Sequence, residues 1–292
     1  MNARLLPIVI LLASCPAGAA GPVAAPTPRV HQGSAADPAA WKAIEAAISQ
    51  QKYQQAVDLL DERIAAARAA DDPAEWSRAL IKSVALRIAL HGYETSVRFL
   101  RAQPWPDEPI ARATLELYYA HALVSYYQAY SWEIAQREKT ESKGPVDLQS
   151  WTRDEIFAEA SRAYFAVWQL REDLGRRPVG SLGEFLRAND YPKGIRDTLR
   201  DAVSYLWVQF LENTAFWRAE HENEVYLLDY DRLLAGDPAA PASVKLDDPA
   251  VHPLLKIGAI LDDLEAWHLK RGSREGALEA RLERLRVLHA SF

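Results

Sequence analysis

Residues 72–100 read DPAEWSRALIKSVALRIALHGYETSVRFL. Asp72 offers a carboxylate to free amide N–H groups, Pro73 at the first helical position has no N–H to leave unpaired, and Glu75 has the spacing of a capping box. Trp76, Leu80, Val84 and Ile88 recur at helical spacing and make one apolar stripe. Gly92-Tyr93 breaks the stripe, and Val97 and Leu100 continue it on a second helix. Two helices joined by so short a turn fold back on each other, so the stretch predicts an α-hairpin.

The same pattern extends in both directions. Upstream, Asp37-Pro38 starts a helix with Trp41, Ile44 and Ile48 on one face, and Ala56, Leu59, Leu60 and Ile64 follow on another. The turn Gln51-Lys52-Tyr53-Gln54-Gln55-Ala56 answers His91-Gly92-Tyr93-Glu94-Thr95-Ser96, with the tyrosine wedged between partner helices. This resembles a degenerate form of tetratricopeptide-type repeats. Downstream, an aromatic helix begins near Ile110, and a polar loop covers Glu138 to Asp147. Thr152-Arg153-Asp154-Glu155 opens a helix with core positions Ile156, Ala160, Tyr164 and Val167, closed by Gly175 to Pro178. Ser181-Leu182-Gly183-Glu184 reads as another start. Helical signal then runs from Ile195 through Ala219, residues 236–250 are loop, and Leu254–Leu269 with Arg274–His289 form a last hairpin. No stretch alternates apolar and polar residues, so no sheet is expected. The predicted fold is all-α, an array of antiparallel α-hairpins in a TPR-like solenoid over residues 38–292. Such hairpins bury their faces against neighbours rather than alone.

The N-terminus reads as an export signal. Arg4 precedes the apolar run Leu5 to Leu12, which is shorter than the about 20 residues a membrane-spanning helix needs. Leu12-Ala13-Ser14-Cys15 resembles the lipobox of bacterial lipoproteins. On this reading residues 1–14 are a signal peptide, Cys15 carries the lipid, and 15–37 is a Pro- and Ala-rich tether to an envelope membrane. Ordinary signal cleavage near Ala17-Gly18-Ala19 is the alternative.

With 292 residues, a net charge of −6, 49% hydrophobic and 25% charged residues, the body has a globular composition. Its acidity argues against a nucleic-acid partner. Cys15 is the one cysteine, so neither an internal disulfide nor a thiolate metal cluster is expected. No G-x-S-x-G, P-loop or H-E-x-x-H occurs. The histidines (His31, His91, His121, His221, His252, His268, His289) show no paired ligand spacing. His221-Glu222-Asn223-Glu224 reads as the solvated end of a helix, His121 as a hydrogen-bonded core histidine, and Asp229 and Asp231 as a solvated face. No catalytic residue, metal or cofactor is expected.

Tyr118, Tyr119, Tyr126, Tyr127, Tyr130 and Trp132 cannot all point to one side of a helix. Part of this set belongs to the core, and the rest is a candidate lining for a partner groove. The final helix carries Leu278, Leu282, Leu285 and Leu288 on one side. An open stripe there implies a neighbour, either more chain or a partner.

Trp132-Glu133-Ile134-Ala135-Gln136-Arg137, then Asp147-Leu148-Gln149-Ser150-Trp151, then Arg162-Ala163-Tyr164, resemble the helical N-terminal region of the large bacterial alpha-2-macroglobulin-like proteins. The resemblance covers roughly residues 38–292. It implies the helical, non-catalytic leading portion of an envelope endopeptidase inhibitor, whose bait segment, thioester cysteine and β-sandwich domains have no counterpart here. The alternative is a free-standing TPR-like envelope lipoprotein that binds a protein or peptide.

Overall fold

The computed structural model describes residues 38–138, 144, 146–186, 189–239 and 244–291. The signal segment, Cys15, the tether and Phe292 lie outside the described residues. Every regular element among the described residues is helical; no strand is formed there, and Pro178 and Thr198 make an isolated antiparallel bridge. None of these helices is long and apolar enough to cross a membrane. The sequence reading carries one domain from 38 to 292; the chain divides into two compact units, one ending at Thr152 and the other starting at Arg153.

The first unit holds α1 (Pro38–Ser49), α2 (Tyr53–Ala69), α3 (Pro73–His91), α4 (Tyr93–Ala102) and α5 (Pro109–Ala135). Consecutive helices pack on each other, and α5 lies against both α3 and α4. Of the expected stripes, Trp41 and Ile44 on α1, Ala56, Leu60 and Ile64 on α2, Leu80 and Val84 on α3, and Val97 and Leu100 on α4 are buried, while Ile48, Leu59, Trp76 and Ile88 are half-buried. Gly92, at φ +80°, joins α3 to α4 in a backbone region that only glycine enters without strain. The capping box at Asp72 forms only in half. Asp72 Oδ1 accepts from Glu75 N at 3.0 Å, but the Glu75 carboxylate accepts from Trp41 Nε1 at 2.6 Å and Arg63 Nε at 2.5 Å instead. A buried carboxylate gains more from two donors, one of them charged, than from a single backbone amide, and it ties α1 and α2 to the start of α3.

The second unit holds α6 (Arg153–Gln169), α7 (Arg171–Leu174), α8 (Leu199–Leu211), α9 (Ala219–Glu224), α10 (Tyr230–Ala235), α11 (Pro253–Lys270) and α12 (Arg274–Ser291). Its centre is α8, in which every residue but Gln209 is buried, and α6, α7 and α11 pack around it. A helix buried on all sides is wrapped by its neighbours rather than stacked in a row. Ser181 does not open an α-helix. Glycines at 180 and 183 leave only a 3₁₀ turn, Val179–Leu182. The capping box stands at Thr198 and Asp201 and starts α8. The helix expected through Ala219 ends at Leu211, because the Asn213 side chain accepts from Ala215 N and the Trp217 indole donates to Leu211 O.

Candidate functional site

The structure distributes the aromatic set of α5 between core and surface. Tyr118, Tyr119 and Tyr126 are buried, Tyr127 is half-buried, and Tyr130 and Trp132 are 39% and 75% exposed. Tyr119 meets the edge of Trp105, and Tyr126 packs between Tyr93 and Tyr130. The helix departs from helical geometry at Tyr130, with φ −125° and ψ 20°, which sets Trp132 apart from the buried rings. The six residues therefore do not line one groove. Burial, with Tyr93 adding to it, pushes the Tyr118 hydroxyl well above its ordinary range, as expected of a packed ring.

Residues 134–137 and 147–151 come together just after this helix, while Arg162-Ala163-Tyr164 lies in α6 of the second unit. Arg137 Nη1 donates to the carbonyls of Leu148 at 2.6 Å and Trp151 at 3.1 Å, and Nη2 donates to the Tyr126 hydroxyl at 3.0 Å. Tyr126 in turn donates to Leu148 O at 2.8 Å. Ile134, Leu148 and Trp151 are buried around this knot. One guanidinium thus fastens the loop between α5 and residue 152 to the aromatic helix.

In the second unit, charged groups occupy the core. Asp201 is fully buried; its Oδ2 accepts from Thr198 N and Oγ1, and its Oδ1 lies 2.7 Å from His268 Nε2. A carboxylate only accepts, so His268 Nε2 carries the hydrogen, and Nδ1 rests against Gly276. Arg200 bridges Glu172 and Asp263 at 2.7 Å each, Arg196 bridges Glu279 and Glu283 at 2.8 Å each, and Arg284 pairs with Asp262. These groups pair across helices, while Arg196 Nε, Arg200 Nε, Arg284 Nε and Nη1, and His268 Nδ1 are buried without a hydrogen-bond partner. The sequence reading missed them, because an Arg-Asp pair inside an apolar run carries no periodic signal.

A second buried cluster joins α9 to α11. His221, taken from sequence as part of a solvated helix end, is buried against His252, while Glu222, Asn223 and Glu224 are exposed as expected. His252 Nδ1 accepts from Leu254 N at 3.1 Å and so caps α11, and its Nε2 donates to His221 O at 3.0 Å. Trp217 meets His252 edge-on. Burial lowers the pKa of both imidazoles, and it brings the nearby Lys256 ammonium down to about 8 against the pull of Asp248 and Asp247. His121, in the first unit, is half-buried with Ser125 Oγ 3.5 Å away, and burial lowers its pKa as well.

No group of three or more His, Cys, Asp or Glu side chains among the described residues is placed to hold a metal ion. A cleft of about 340 Å³ is lined by Asp229, Arg232, Gly236, Asp237 and Asp262, and one of about 280 Å³ by Phe165, Trp168, Arg171, Asp247 and Asp263. Asp262 and Asp263 are already engaged by Arg284 and by Arg171 and Arg200. On α12, Leu278, Leu282 and Leu285 are exposed, whereas Leu288 is buried. Comparison with protein-family models, curated proteins and solved structures gives no match to this chain.

Proposed function

We propose that this chain is the non-catalytic helical N-terminal portion of an envelope alpha-2-macroglobulin-like protease inhibitor, held at a membrane by lipid on Cys15 and serving as a scaffold and interaction module. The observation that carries the reading is the Arg137 knot. Ile134, Arg137, Leu148 and Trp151, which bear the resemblance, pack into one fastened loop with Tyr126. Their spacing thus has a structural cause of the kind a shared scaffold preserves. The paired turns at 51–56 and 91–96 support a TPR-like arrangement of the first unit.

Two measurements test it. The reading frame beyond codon 292 should continue into macroglobulin-type β domains; a stop codon followed by unrelated sequence overturns the family reading. Mass spectrometry of the protein from envelopes should find acyl chains on Cys15, lost with Cys15→Ser; an unmodified cysteine overturns the anchor.

The second reading is a free-standing TPR-like lipoprotein that binds a protein or peptide. The 75% exposure of Trp132 favours it, since isolated exposed tryptophan is a typical anchor for a partner. Trp132→Ala should abolish retention of a partner from envelope extract; retention that survives this change refutes it.

A further inference from the structure

The α11–α12 hairpin presents a face that the packing of the second unit does not use. Leu278, Leu282 and Leu285 are 67%, 40% and 43% exposed. At positions i, i+4 and i+7 they form a single seam on α12, opposite the side that buries Ala277, Ala280, Arg284 and Val287. Arg281 and Arg286 border the seam and are exposed, each held in place by glutamates: Arg281 by Glu265, and Arg286 by Glu279 and Glu283; exposed Glu275 lies on the Arg286 side. At the tip of the hairpin, Lys270, Arg271 and Arg274 are exposed beside Leu269. Over residues 269–291 there are six Lys and Arg against three Glu, a local excess of +3 on a chain whose net charge is −6.

Leucines in a row with cations on both borders match one kind of surface well. At a bilayer interface the leucines reach the acyl boundary while Arg and Lys extend to the lipid phosphates, and anionic lipid attracts each added cation. A second copy of the chain is a poorer fit. Three leucines offer far less than the roughly 800 Å² per partner of a standing interface, and pairing would set arginine borders against each other. We propose that the α11–α12 hairpin lays this face on the surface of an anionic bilayer, as a contact additional to any lipid anchor. This rests on the helix face alone and not on the family reading.

The test uses the full chain carrying Cys15→Ser, so that no acyl group supplies binding. It is co-sedimented with vesicles of phosphatidylglycerol and phosphatidylethanolamine in equal parts, and with vesicles of phosphatidylcholine alone. Binding to the anionic vesicles should weaken on the order of tenfold with Leu278→Ser/Leu282→Ser/Leu285→Ser. It should weaken comparably with Arg271→Gln/Arg274→Gln, which leaves the leucines in place, and it should fall as salt rises. Tyr226→Ser/Leu227→Ser, which removes two apolar side chains that are 84% and 83% exposed elsewhere, should change nothing. Equal binding to both vesicle types, undiminished binding by the leucine variant, or no binding overturns the proposal. So does a dimer in analytical ultracentrifugation that the leucine variant dissolves without any vesicle binding.

Discussion

Gly236 closes α10 at φ +63° and ψ 170° directly over the buried guanidinium of Arg284. A Cβ at this position would stand 1.5 Å from Arg284 Nη1, 2.4 Å from its Cζ and 2.7 Å from Asp262 Oδ1. Gly236→Ala therefore does two things. It strains a backbone region that is essentially reserved for glycine, at about 1–3 kcal/mol. It also drives Arg284 away from Asp262 and Glu265, and breaking a buried ion pair costs about 3–5 kcal/mol. The sum, roughly 5 kcal/mol, is comparable to the whole stability of many domains. Native-state hydrogen exchange on α11 and α12 peptides reads it directly, as a loss of protection by roughly three to four orders of magnitude. Gly272→Ala is the matched control in the same unit. It has φ +73° and no heavy atom within 4 Å of the added Cβ, so only backbone strain of about 1 kcal/mol and a roughly fivefold loss are expected. If Gly236→Ala costs no more than Gly272→Ala, Arg284 is not held as described, and the reasoning fails.

Three other outcomes follow from the buried groups. The second unit should lose stability on acidification. Burial lowers the pKa of His221 and His252 below the ordinary 6.5, so the unfolded chain takes up protons that the folded chain refuses. Their contribution is complete above pH 6.5 and declines as pH falls from there toward the lowered folded values. Urea melts from pH 8 to 5 should show the decline, and His252→Asn, which keeps a capping side chain without a titrating one, should flatten it. Arg137→Ala should destabilise the loop at 146–152 by about 2 kcal/mol, since it removes charged donors from two carbonyls; unchanged exchange rates there would dismiss the knot. Glu75→Ala should cost about 3 kcal/mol and free α1 first, because it strips Trp41 and Arg63 of their shared acceptor; uniform unfolding with no early loss of α1 protection would contradict it.

Most of the first unit was legible in its sequence because α1 to α4 keep a side that is exposed or only half-buried, whereas α5 is buried throughout from Ala113 to Ala120. A surface helix must alternate between core and solvent, so Ile44, Leu60, Leu80 and Val97 announce themselves by spacing, and Gly92 by interrupting it. Central helix α8 has no wet side, and its apolar run from Leu206 to Leu211 is broken only by Gln209, so periodicity gives neither its ends nor its faces. The tyrosines failed for a related reason. Tyr118-Tyr119 and Tyr126-Tyr127 are neighbours in sequence, and composition does not tell that both of the first pair are buried while only Tyr126 of the second is. Leu288 was grouped with Leu278, Leu282 and Leu285, yet it sits far enough around α12 to reach the core that the others miss.

The buried charges explain how the second unit settles on one arrangement where stripes are lacking. Arg200 reaches α7 through Glu172 and α11 through Asp263, Asp201 reaches α11 through His268, and Arg196, just before α8, reaches α12 through Glu279 and Glu283. Such pairs add little net stability, since desolvation offsets their attraction. Their effect lies in the alternatives. An apolar helix buried all round could turn about its axis and still find leucines and aromatics to pack on. Turning α8 would leave Arg200 and Asp201 buried without partners, at about 3–5 kcal/mol for each broken pair. Charge thereby fixes the orientation that hydrophobicity leaves open. It also escapes a reading along the chain, because the α8 partners on α11 are 63 and 67 residues away, beyond the reach of any local pattern.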